Sequence, residues 1–281
     1  MFPPRLLTGL SEIARDHDAL ICDIWGVVHN GHAPFPEAAE ALRRFRREQG
    51  PVVLLSNAPR PPRSVEDQFR RIGVATDCYD AIVTSGGAAR DDLAARTGQG
   101  RTLALYYIGP EQDTGLLEGL DVTRAGIGQA DVALCVGLVD DLTETPDDYS
   151  DILAAMRAKN LTMLCANPDL KVYRGSQLCW CAGALAQAYE ALGGPVTYYG
   201  KPYPAVYDTA LGAAGRPRKA LAIGDALITD LRGAQDAGLE ALFIADGLHG
   251  EEIEPYTAQH LGEMFAAANV GAKAAMRALR W

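Results

Sequence analysis

No apolar run in these 281 residues is long enough to cross a bilayer as a helix. The opening Met1-Phe2-Pro3-Pro4-Arg5 has neither the apolar core nor the small-residue cleavage site of a secretory leader, so a cytoplasmic location is expected. Basic residues are in deficit, 26 Lys and Arg against 36 Asp and Glu, which argues against a phosphate-backbone surface and hence against nucleic-acid binding. The one basic cluster, Arg43-Arg44-Phe45-Arg46-Arg47, falls on an amphipathic helical pattern and reads as a solvated face. Cysteine is present, at 22, 78, 135, 165, 179 and 181, but no spacing matches a zinc ribbon or a dithiol redox motif. The close pair flanking Trp180 reads as packing, and reduced thiols fit a cytosolic protein. No Gly-x-Gly-x-x-Gly follows a strand pattern, which disfavours a dinucleotide-binding enzyme.

Strand-like runs instead alternate with helical patterns almost throughout, the signature of parallel βαβ units in an α/β fold with helices on both sheet faces. Strands are expected over about 19–28, 51–57, 79–84, 101–108, 131–138, 161–166, 196–199, up to Asp225, and 241–245. Helices are expected between them, and the Ala-rich stretch 271–279 is expected to be helical. Placing every strand in one sheet makes it improbably wide. The pattern therefore predicts a core built from residues 1–86 and 196–281, with 87–195 inserted as a separate α/β lid.

Two apolar runs end at a carboxylate: Ala19-Leu20-Ile21-Cys22-Asp23 and Ala220-Leu221-Ala222-Ile223-Gly224-Asp225, the latter followed by Asp230. Open α/β sheets bind ligands at the carboxyl ends of their strands. Three acids converging there suggest a nucleophile and a magnesium site, hence the handling of a phosphoryl group. Taken singly, each residue has a plainer reading. Asp23 also suits a turn cap, Asp230 a first-turn helix acid, and Ser56 a helix cap. Ser56 and Asn57, ending Val-Val-Leu-Leu-Ser-Asn, are candidates to hold phosphate oxygens. Lys201, in Tyr-Gly-Lys-Pro-Tyr-Pro, is a candidate to offset repulsion between Asp23 and a phosphate dianion. Asn167 and Asp169 begin a turn within the insert that is a candidate to face the core site, although Asn-Pro-Asp is also a common turn sequence.

As a set, Asp23-x-x-Gly26-Val27, Ser56-Asn57, Lys201-Pro202 and Gly224-Asp225-x-x-x-Thr229-Asp230 resemble, in order and spacing, the four motifs of the haloacid dehalogenase superfamily. The long insert carrying Asn167-Pro168-Asp169 resembles the lid of its class IIA members, which include sugar-phosphate, nucleotide and 4-nitrophenyl phosphatases. The resemblance implies that Asp23 is a nucleophile passing through an aspartyl phosphate, and that Asp23, Asp225 and Asp230 surround magnesium. It further implies that the main-chain carbonyl of Trp25 is a metal ligand, that Ser56 and Lys201 bind phosphate, and that the substrate is a small phosphorylated metabolite. A homodimer is compatible with this class.

Trp25 departs from the pattern, because phosphatases of the superfamily carry there a second aspartate that protonates the leaving alcohol. Indole donates a weak hydrogen bond but transfers no proton at neutral pH. His29, His32 and Tyr203 are candidate substitutes, with His29 expected on the substrate side, just past the motif. The alternatives are a substrate that leaves without protonation, a protein that binds a phosphorylated ligand without turning it over, and a dehalogenase.

Overall fold

The computed structural model describes residues 3–97, 100, 102–174, 177–247 and 253–281. The chain divides into two compact units, Met1–Ser56 with Arg63–Val83 and Lys201–Trp281, and Asn57–Pro62 with Thr84–Gly200.

The first unit is built on a seven-stranded sheet. Its order is Arg5–Leu6, Ala274–Met276, Glu240–Ile244, Ala220–Gly224, Ala19–Asp23, Val52–Ser56, Ala81–Thr84. The registered pairs are parallel. The two central strands, Ala19–Asp23 and Ala220–Gly224, are buried at every position, as expected of a sheet covered on both faces. Their continuous apolar runs, without alternation, are the sequence record of that double burial. The helix Pro36–Glu48 follows from a proline in its first turn and closes on Arg46 and Arg47, which suit its negative end. Its Leu42 and Phe45 are fully buried.

The second unit carries a five-stranded sheet, ordered Val196–Tyr198, Met163–Cys165, Val132–Cys135, Leu103–Ile108, Val122–Arg124, and a separate antiparallel hairpin, Lys171–Arg174 with Gln177–Trp180. Two apolar clusters serve this sheet, one around Leu153, Met156, Leu185 and Tyr189, the other around Leu93, Leu105, Leu116 and Leu134.

Two sequence expectations are corrected here. Val196–Tyr198, assigned to the core, pairs in parallel with Met163–Cys165 of the second unit, because a short strand takes its place from the nearest unpaired edge and not from periodicity. The second compact unit comprises Asn57–Pro62 and Thr84–Gly200, where the pattern placed an insert over 87–195. The Ala-rich end, expected to be helical, forms the strand Ala274–Met276, buried throughout and paired with Glu240–Ile244. Tertiary burial overrides the helix propensity of alanine at that position.

Candidate active site

Register brings the acids together. Cys22 is level with Ile223 and Asp23 with Leu55, so Asp23, Asp225 and Ser56 all fall at the carboxyl ends of adjacent strands. Past Asp225, a short π-turn over Leu227–Leu231 replaces the helix start expected at Thr229, and π geometry recurs at functional sites. It folds Asp230 back over the strand end, where Oδ2 accepts from the Ala226 N–H at 3.1 Å. Ligand oxygens of Asp23, Asp225 and Asp230 lie within 4.8 Å of one another and all three residues are buried. Among the described residues this is the one group of three or more His, Cys, Asp or Glu with the spacing to hold an ion.

Lys201 sits within the cluster and is itself buried, donating to Asp23 Oδ1 at 2.5 Å and to Asp230 Oδ1 at 2.8 Å. Burial pulls its ammonium pKa down, but Asp23 and Asp230 outweigh that, leaving the group above its usual value and charged. Burial pushes Asp230 up; Lys201 opposes the shift and Asp23 adds to it. Behind the cluster, the hydroxyl of Tyr207 donates to the Asp230 carbonyl at 3.2 Å. Nothing in the sequence singles out Tyr207, which reads there as an ordinary core residue of the helix Pro204–Ala213.

The donor set fits a hard divalent cation. It consists of carboxylate oxygens, and magnesium takes few carboxylates together with water and substrate oxygens. Three carboxylates against one ammonium leave two negative charges in a buried space. Like charges at ~4 Å repel by about 4 kcal/mol at an effective dielectric near 20, so a bound cation relieves a real cost.

Of the remaining candidates, Ser56 belongs to the first unit, and Asn57, Asn167 and Asp169 belong to the second. Ser56 closes its strand, half-buried, as the last residue of that stretch of the first unit. Asn57, Asn167 and Asp169 gather in the second unit. Asn57 Nδ2 donates to Asp169 Oδ1 at 2.8 Å, Asn167 Oδ1 accepts from the Asp169 N–H at 3.1 Å, and Ser85 Oγ donates to Asn57 Oδ1 at 3.2 Å. Ser85 is a member the sequence did not reveal.

His29 belongs to a tight turn that follows Asp23. It is 2 % exposed, its Nδ1 accepts from the Gly31 N–H at 2.8 Å, and its ring meets Trp25 and Phe69 edge-on. Burial lowers its pKa to about 4, so the ring is neutral. Within the first unit His29 is thus engaged in packing and in its turn. Trp25 is half-buried, its indole lying against Gly31 so closely that a Cβ there would fall 2.3 Å from Cζ3.

Against known proteins, residues 20–123 match the family model of haloacid dehalogenase-like hydrolases, and residues 198–269 match a HAD-hydrolase-like model. A haloacid dehalogenase-like hydrolase from Brucella suis 1330 is 37% identical in sequence, covering 98% of this chain and 100% of its own, with a TM-score of 0.83. This chain belongs to the haloacid dehalogenase-like hydrolases. Within the superfamily, the dihydroxyacetone phosphatase of Corynebacterium glutamicum is 31% identical over 73% of this chain and 72% of its own length. The D-glycerol 3-phosphate phosphatase of Mycobacterium tuberculosis is 29% identical over 85% of this chain, and the match spans 66% of that relative. Its structure in complex with magnesium aligns with a TM-score of 0.62 at 26% identity, covering 84% of this chain and 70% of that one.

Proposed function

We propose that the protein is a magnesium-dependent phosphohydrolase acting on a small phosphomonoester through an aspartyl phosphate on Asp23. The observation that carries this reading is the buried group of Asp23, Asp225 and Asp230 joined by Lys201. Asp23, Asp225, Asp230 and the main-chain carbonyl of Trp25 would hold magnesium, which when bound neutralises charge on the phosphoryl oxygens. Asp23 attacks phosphorus in line with the leaving oxygen, and Lys201 offsets the repulsion between that carboxylate and the incoming dianion. Ser56, and Asn57 just past the strand end, are the proposed phosphate contacts. Asn167 and Asp169 lie on the unit proposed as the lid.

Trp25 bears on the rate. With indole at that position, no carboxyl group there protonates a leaving alkoxide, so the reading favours slow turnover or a substrate whose leaving group needs no proton. The same residue favours a second reading, a protein that binds a phosphorylated ligand with little turnover. A dehalogenase is disfavoured, because three clustered carboxylates burden a site that uses no cation.

The cytoplasmic setting and the homodimer remain part of the proposal. No helix among the described residues is long and apolar enough to cross a membrane, and the six buried thiols suit a reducing compartment.

A panel of glycerol 3-phosphate, dihydroxyacetone phosphate, nucleoside 5′-monophosphates and 4-nitrophenyl phosphate, with and without magnesium, tests the reading. Magnesium-dependent phosphate release on at least one substrate is expected. Saturable binding of the same compounds without release selects the second reading.

A further inference from the structure

The strand that ends at Asp225 lies between two others in the sheet, Ala19–Asp23 on one side and Glu240–Ile244 on the other. The chain past each neighbour reaches a glycine against the Asp225 side chain. A Cβ at Gly26 would lie 1.9 Å from Asp225 Oδ2; one at Gly247 would lie 2.2 Å from Oδ2, 2.4 Å from Cβ and 2.7 Å from Cγ. A Cβ at Gly26 would also fall 3.5 Å from the Gly247 Cα. The Asp225 carboxylate is thus pressed between two stretches of bare backbone. Gly26 belongs to the first recognised motif. Gly247 belongs to none.

We propose that Gly247 is a positioning residue for Asp225, fixing the direction in which that carboxylate presents its oxygens to the metal. The inference rests on the magnesium site proposed above. Gly26 adopts φ +77°, which a larger residue resists whatever the space, whereas Gly247 lies outside the left-handed region. At Gly247 the absence of a side chain therefore answers a demand for space and not for backbone conformation. A methyl group there meets atoms of a short, buried side chain at distances real Cβ atoms do not show. The Asp225 carboxylate must turn or retreat, and its metal-facing geometry changes with it.

The test is calorimetric titration of magnesium chloride into the full chain, for wild type, Gly247→Ala and Asp225→Asn. Gly247→Ala is expected to weaken magnesium binding roughly tenfold or more, the range seen when support behind a ligand is removed. Its half-saturating magnesium for phosphate release should rise in parallel, with turnover recovering at excess magnesium; a general folding defect would lower turnover at every concentration. Gly247→Ala binding magnesium within twofold of wild type overturns the proposal and leaves the site itself standing. Wild type that binds no magnesium overturns both. Should Gly247→Ala fail to fold, the double variant Gly247→Ala/Asp225→Gly, which removes the side chain the methyl meets, is expected to recover folding, and a double variant that still fails to fold overturns the proposal.

Discussion

Asn57 Nδ2 donates to Asp169 Oδ1 across 2.8 Å, joining residues 112 positions apart. Both were expected to meet substrate, and within their unit each is engaged with the other. Asn57 is buried and also accepts from Ser85, so it ties the segment after Ser56 to the Asn167-Pro168-Asp169 turn. Asn57→Ala removes both bonds and takes the acceptor from fully buried Ser85, at about 1–3 kcal/mol for a buried group. Asn57→Ala should lower the midpoint of urea unfolding accordingly. A midpoint equal to wild type would show the bond to be incidental.

Asp23→Asn removes the proposed nucleophile while keeping its shape. Turnover should fall by on the order of 10³-fold or more, because no other step replaces attack by that carboxylate. Intact-mass analysis after brief substrate exposure should show a phosphoryl adduct on wild type and none on the variant. Unchanged turnover would remove Asp23 from the mechanism.

Trp25→Asp places a carboxyl group where leaving-group protonation is needed. A gain of ~10²–10⁴ in kcat is expected on alkyl phosphates and a smaller one on 4-nitrophenyl phosphate, whose leaving group is already a weak base. Equal gains on both, or no gain, would mean that protonation does not limit the rate.

Magnesium links to folding as well as turnover. A ligand that binds only the native state stabilises it by about 2.7 kcal/mol at a hundred times its Kd. Chelation should therefore lower the melting temperature of wild type, and much less that of Asp225→Asn, in which the site is impaired. An identical shift in both proteins would place the magnesium effect elsewhere.

Glu240 offers a check on pH that is independent of the site. Its Oε2 accepts from Lys273 Nζ at 2.7 Å and lies 2.8 Å from His17 Nε2. Partial burial pushes its carboxyl up, but Lys273 and His17, with Lys219 nearby, hold it down at about 2 against an ordinary 4.5. A depressed carboxyl contributes stability that is present above about pH 4.5 and is lost as pH falls towards 2. The side chain is 38% exposed, so screening limits the contribution to about 1 kcal/mol or less. Glu240→Gln should melt below wild type at pH 7 and converge with it near pH 2. A gap that stays constant over that range would rule out the linkage.

The four motif segments were legible because their chemistry is local. A run such as Ala19–Asp23 announces both a buried strand and the acid at its open end. Lys201 was legible as a charge but not as the bridge between Asp23 and Asp230, which brings Lys201 to a residue 178 positions earlier in the chain. The packing of His29 against Trp25 and Phe69 was not legible in sequence. Gly247 and Tyr207 carried no signal, since a glycine after a strand and a tyrosine in a helix are common.

The sequence by itself determined which residues bear charge and which apolar runs end at a carboxylate, because hydrophobic periodicity and turn chemistry act over a few neighbours. Tertiary structure alone decided which of those charges meet, which face a neighbour instead, and where bare backbone lets a carboxylate pass. Those outcomes depend on register between strands that are distant in the chain, and no local pattern encodes it.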